Sequence, residues 1–136
     1  MSQIEPRAGL RQRDPRQRDK AYLGFIASCP CLPCAVKGRG MRHPVEVCHI
    51  RFGIPGYPGW REFGRSERPH DWRTYPACSG CHRLDNDSQH SGNERAFWER
   101  MGVLPPLLCA ALRKAYESRE DGADVIRRAA HGDFSG

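Results

Sequence analysis

No stretch of the 136-residue chain approaches the roughly 18 consecutive apolar residues of a membrane-crossing helix. Apolar residues make up only 38% of it, aromatics 9%, and mean hydropathy is −0.73. A core of that size is thin, and small folds of this kind often need a metal or covalent staple. Lysine is scarce, with three lysines against nineteen arginines. The segment "MSQIEPRAGLRQRDPRQRDK" lacks the apolar centre of a secretory signal, so a reducing cytoplasm is the expected location. There, cysteines bind metal or do chemistry more often than they form disulfides. The seven cysteines are also an odd number, which counts against a full disulfide framework.

What the chain has is positive charge and turn formers. Its 22 basic and 16 acidic residues leave a net charge of +6. Arginine presents a planar fork of donors that suits phosphate, so the balance favours a polyanionic partner, most simply nucleic acid. A basic surface kept for solubility is the plainer alternative. Fourteen glycines and eleven prolines point to a loop-rich α+β domain.

The pattern along the chain divides it in three. Residues 1–18 read as a basic arm. Residues 19–102 read as the core. Asp19 caps a helix over 19–28, with Tyr22, Phe25 and Ile26 at helical spacing. "VEVCHIRF" (45–52) alternates Val45, Val47 and His49 against Glu46, Cys48 and Ile50, as a strand does. "WRTYPAC" (72–78) is β-prone and can pair with 45–50. Between them, 53–71 is a long Gly/Pro loop. A turn and a short helix are expected over 79–87. A helix over 91–102 opens on Ser91 and Glu94 in capping-box spacing and stops at Gly102. Residues 103–136 supply further helices, over 105–120 and 122–130, packed on the core.

Cys31 and Cys34 form one C-x-x-C pair, and Cys78 and Cys81 another. Each such turn aims two sulfurs at one point, and two turns complete a tetrahedral four-thiolate zinc site. The 43 residues between the pairs exceed the gap of a compact zinc ribbon, so something is inserted there. Buried thiols or a redox pair are the alternatives. Cys29 stands two residues before Cys31 and could replace a ligand. Cys48 and Cys109, in apolar contexts, are expected as core thiols.

A strand histidine (His49), a second strand and a histidine directly after the second C-x-x-C (His82) make a ββα arrangement. With "CLPC" (31–34), "CHIR" (48–51), "RPHDWRTYPACSGCH" (68–82) and "QHSGNERAFW" (89–98), the chain resembles the HNH (ββα-metal) endonucleases. The likeness is strongest to their phage and prophage Ref-like branch, whose nucleases depend on the RecA recombinase. It covers roughly residues 20–102.

The resemblance implies roles. His49 would be the general base that deprotonates the attacking water. His82 would ligate a divalent ion (Mg²⁺, Mn²⁺, Zn²⁺ or Ni²⁺) that offsets charge on the scissile phosphate. His90 would be a co-ligand, Asp71 a ligand or orienting group, and Arg51 a phosphate contact. Two departures stand out. Many HNH nucleases carry Asp just before the base, and here Cys48 stands there. And on one straight helix His82 and His90 would lie about 12 Å apart, so sharing an ion needs a bend, for which "DNDS" (85–88) is suited. Asp85 and Asp87 are spare candidates.

In segment 37–73, Arg51, Arg61, Arg65, Arg68 and Arg73 are expected to contact the nucleic-acid backbone. His43, His70 and His131 read as solvated, and Trp60, Trp72 and Trp98 as core. The expectation is thus a zinc-stapled, metal-dependent endonuclease acting on DNA, with a recombinase filament as a further partner. The alternative is a non-catalytic zinc-finger module for DNA binding or recombination.

Overall fold

A computed structural model describes residues 18–64 and 67–134. All but the last residue of the expected basic arm lies outside the described residues. The described chain is a small α+β protein with a two-stranded sheet and five α-helices.

Helix α1 spans Lys20–Ala27 and starts where Asp19 accepts the Tyr22 amide at 3.1 Å. That bond satisfies one of the N–H groups a helix start leaves open. Tyr22 and Ile26, one turn apart, are its buried face. Helix α2, Leu32–Lys37, is capped by a sulfur: Cys31 Sγ accepts the Cys34 amide at 3.4 Å. Pro33 fits its first turn, and Gly38 ends it in the left-handed region at φ 69°.

Strand β1 (Val45–His49) pairs antiparallel with β2 (Thr74–Cys78), with Val45 opposite Cys78 and His49 opposite Thr74. Every residue of β2 is buried. Side-chain alternation along β1 sets Glu46 and Cys48 on one face of the sheet and His49 on the other. A five-residue π-turn (Gly80–Leu84) and a 3₁₀ turn (Gln89–Ser91) follow β2. Helices α3 (Glu94–Met101), α4 (Pro105–Glu117) and α5 (Gly122–Ala129) complete the fold.

One apolar cluster joins the parts. It holds Tyr22 and Ile26 of α1, Cys48 and Tyr75 of the sheet, Trp98 of α3, Leu108 and Leu112 of α4, and Val125 and Ile126 of α5. Tyr75 meets Trp98 edge-on at 4.7 Å, a favoured arrangement for two quadrupolar rings. The C-terminal helices thus share the core of the sheet.

The long loop between the strands is built around one side chain. Arg73 is 0% exposed, and its guanidinium donates to the carbonyls of Phe52 (3.0 Å) and Arg61 (2.8 Å). It also lies over the rings of Trp60 (4.3 Å) and Phe63 (4.6 Å). A buried cation survives when its donors find acceptors and its face finds π-systems. Gly53 is required here: a Cβ would come within 2.8 Å of the Glu62 amide nitrogen. Trp60 is buried, as expected, but His70 is buried too, stacked on Trp72 at 5.6 Å. The solvated place expected for His70 is therefore corrected. An aromatic ring two residues away offers its face, and stacking removes the imidazole from water.

Helix α3 is capped two residues after the Ser91 expected to cap it. Asn93 Oδ1 accepts the Ala96 amide at 3.1 Å. Ser91 is used up in the preceding 3₁₀ turn, where its hydroxyl donates to the carbonyls of Asn86 and Ser88. Gly102 ends α3 in the left-handed region, as expected.

Candidate functional site

The first site is the cysteine cluster. The sulfurs of Cys31, Cys34, Cys78 and Cys81 lie within 4.8 Å of one another, and all four residues are buried. The first turn of α2 positions Cys31 and Cys34. The end of β2 and the π-turn position Cys78 and Cys81. An all-sulfur set of this compactness suits a metal such as zinc in tetrahedral coordination. Cys29 is not in the set. Its thiol turns back to the Phe25 carbonyl and packs where a Cβ on Gly122 would collide with it. Cys48 and Cys109 are core thiols, bonded to the carbonyls of Glu46 and Thr74.

Two arginines face the sulfurs. Arg39 donates to Cys81 at 2.9 Å and to Cys34 at 3.4 Å, and Arg42 donates to Cys81 at 3.2 Å. The Cys31 thiol, Arg42, Cys78 and Arg39 hold the Cys81 thiol well below its ordinary value against the opposing effect of burial. Thiolate is the metal-binding form of cysteine, and the donors of Arg39 and Arg42 favour it at Cys34 and Cys81. Arg42 also pairs with Asp85 at 2.6 Å, which ties the loop at 39–42 to the end of the π-turn.

The second site is a histidine pair. His82 sits on the π-turn, and His90 on the 3₁₀ turn that follows the bend. Their Nε2 atoms face one another at 3.0 Å. The bend expected at 85–88 is there: Asp85 and Ser88 are both extended, and the Ser88 amide closes a turn on the Asp85 carbonyl. Glu46 on β1 accepts from His82 Nδ1 at 2.7 Å and is gripped by Arg83 at 2.9 and 3.2 Å. Arg83 first, then His82, keep the Glu46 carboxyl below the ordinary carboxylate range. Burial, followed by the charges of His82 and Arg51, lowers the His90 imidazole. A neutral ring is the ligating form.

His49 is not part of that pair. Its Nε2 lies 3.1 Å from Asp71 Oδ1, and the other Asp71 oxygen accepts the Asp19 amide at 2.8 Å. Asp71 is 3% exposed. Its two oxygens are thus taken up by His49 and the α1 start, and the structure does not group it with His82 and His90. Among the described residues, the four cysteines are the one group of three or more His, Cys, Asp or Glu close enough to share an ion. The spare carboxylates are engaged elsewhere, Asp85 with Arg42 and Asp87 with Lys37.

Gln89, which sequence reasoning passed over, links the two histidine centres. Its side-chain amide donates to the His49 carbonyl at 3.1 Å and to Glu94 at 2.6 Å, and its oxygen accepts the Tyr75 hydroxyl at 2.8 Å. Glu94 in turn accepts the Arg51 amide. The residue before His90 is thus bonded to the end of β1. The adjacency of Gln89 to His90 was the one signal in the sequence, and it carries no long-range information by itself.

The arginines divide. Arg73 is enclosed in its loop and is corrected as a nucleic-acid contact, because its donors already serve backbone carbonyls. Arg51 braces the same loop through the Gly64 and Glu67 carbonyls, and Arg61 pairs with Glu67. Arg68 is exposed. Arg65 lies outside the described residues.

Among the described residues, no helix is long and apolar enough to cross a membrane. The chain matches no family model, no curated protein and no solved structure.

Proposed function

We propose that the chain is a metal-dependent endonuclease of the HNH type that hydrolyses DNA phosphodiester bonds, with zinc in the four-cysteine cluster as its structural staple. The observation that carries the reading is the meeting of the His82 and His90 Nε2 atoms at 3.0 Å. Two imidazole nitrogens turned toward each other suit a shared cation. Imidazole nitrogen favours Zn²⁺, Mn²⁺ or Ni²⁺, whereas Mg²⁺ prefers oxygen. A divalent ion bound there would offset negative charge on the phosphate and the departing oxygen.

The chain's own residues would do the rest. His49, aligned by Asp71, accepts a proton from water as the water oxygen bonds to phosphorus. The bond from phosphorus to the 3′ oxygen breaks, that oxygen takes a proton from solvent water, His49 returns its proton to solvent, and the products are a 5′ phosphate and a 3′ hydroxyl. Base and ion act on opposite sides of a phosphodiester, and the link that supports a common site is Gln89, the neighbour of His90, whose amide donates to the His49 carbonyl at 3.1 Å. Exposed Arg68 and half-buried Arg51 would steady the DNA backbone. A phage or prophage setting and a recombinase filament as partner follow from the same resemblance.

One observation favours a second reading, a non-catalytic zinc-binding module that holds DNA. Cys48, where many HNH nucleases carry Asp, is fully buried and offers no oxygen ligand. A plasmid-nicking assay with Mg²⁺ or Mn²⁺ separates the two. The nuclease reading expects wild type to nick and His49→Ala to lose about 10²–10⁴-fold in rate. Equal rates would overturn His49 as base. DNA binding without nicking by either protein would establish the binding module.

A further inference from the structure

We infer that Glu46 is a positioning residue for the His82–His90 pair: it fixes the proton of His82 on Nδ1 and so turns the Nε2 lone pair toward His90. The inference rests on the proposed second metal centre.

The argument starts from donors and acceptors. Glu46 is bound by the Arg83 guanidinium through both carboxylate oxygens, at 2.9 and 3.2 Å. Guanidinium cannot accept a hydrogen bond, so the carboxylate is held ionised and acts only as an acceptor. His82 Nδ1 lies 2.7 Å from Oε1 of that carboxylate. Nδ1 must therefore donate, and a neutral ring then has its lone pair on Nε2. That atom is the one aimed at His90.

A carboxylate behind a ligating histidine sets the ring's tautomer and angle and raises its basicity. Here the carboxylate comes from the sheet. Glu46 shares the face of β1 with Cys48, two residues further on. The acidic group missing at position 48 is thus present on the same face, but it stands behind the histidine and not in contact with an ion. Arg83, the neighbour of His82 on the π-turn, completes the arrangement by pinning Glu46 from its outer side.

The test uses the full chain loaded with zinc at the cysteine cluster and needs no DNA. Long-range ¹H–¹⁵N NMR reports which nitrogen of His82 carries the proton. Co²⁺ titration reports affinity at the histidine pair, with His90→Ala to identify that site. In wild type we expect the Nδ1–H tautomer and one Co²⁺ that His90→Ala abolishes. Glu46→Ala should mix the tautomers and weaken Co²⁺ about 10–100-fold. Glu46→Gln, which keeps an acceptor without the charge, should preserve the tautomer and lose less affinity. An Nε2–H tautomer in wild type, or Co²⁺ affinity unchanged in Glu46→Ala, would overturn the inference. Wild type that takes up no such Co²⁺ would overturn it together with the second metal centre. Nicking that survives His49→Ala would remove the proposed base and leave this inference standing.

Discussion

The Nε2 atoms of His82 and His90 face each other at 3.0 Å across eight positions of sequence. A straight helix would hold them about 12 Å apart. The π-turn ends at Leu84, the chain reverses through Asp85–Ser88, and Gln89 anchors the return to the end of β1. The pair is therefore a product of the bend and not of helical spacing. Replacing His90 by Ala should leave the zinc content of the cysteine cluster and the melting temperature near wild type, since the ring is exposed. The same variant should lose about 10²-fold or more of nicking activity. Metal analysis, thermal melting and plasmid nicking on one preparation check this. Wild-type nicking in His90→Ala would detach the pair from the chemistry.

The cysteine cluster ties α2 to β2 and the π-turn, so its metal should be part of folding free energy. Cys81→Ser is expected to abolish one equivalent of bound zinc and to remove the cooperative melt. Cys29→Ser should retain both, because that thiol faces α5. Arg39→Gln combined with Arg42→Gln should keep zinc but weaken it by about 10–100-fold, as the loss of groups bonded to ligands does elsewhere. Competition with a chromogenic chelator measures it. Zinc affinity unchanged in the double variant would show that the guanidinium–sulfur bonds contribute nothing to retention.

Local signals carried much of this fold. Asp19 as a cap, the alternation at 45–49, the Gly102 stop and the paired C-x-x-C turns each act within a few residues, and each is where the sequence places it. What was hidden depends on partners far along the chain. Arg73 reads as one more surface arginine until the loop closes over it with Trp60 and Phe63. Asp71 reads equally as a ligand or an orienting group until its contacts with the α1 start and His49 are seen. Glu46 shows nothing as the polar half of an alternating strand, because its partners His82 and Arg83 lie 36 and 37 residues away. At Ser91 two local rules compete. The 3₁₀ turn takes its hydroxyl, and Asn93 takes the cap.

Arg73 and Arg68 make a matched contrast. Removing the Arg73 head leaves buried carbonyls of Phe52 and Arg61 without donors, at a cost of about 1–3 kcal/mol each. Arg73→Met should therefore lower stability by about 2–4 kcal/mol in urea unfolding while leaving the DNA affinity of the folded fraction unchanged. Arg68→Ala should change stability by less than about 0.5 kcal/mol. It should weaken DNA binding and reduce the salt slope of log K by about 1. Fluorescence anisotropy over a salt series checks the second half. The opposite pattern, a stable Arg73→Met that binds DNA poorly, would mean the loop opens to present this arginine.

Burial raises the Glu94 carboxyl above its ordinary 4.5, even though Gln89 and the Arg51 amide donate to it. The folded chain therefore holds this proton at pH values where the unfolded chain has released it. Stability from this source is complete below pH of about 4.5 and is lost as pH rises through the raised value. Glu94→Gln has no such proton, and all other titrating groups are common to both proteins. The difference in urea midpoint, wild type minus Glu94→Gln, should fall as pH climbs above about 4.5 and level off once pH has passed the raised value. A difference that rises over that interval would mean the folded state favours the carboxylate, with the bonds from Gln89 and Arg51 outweighing burial.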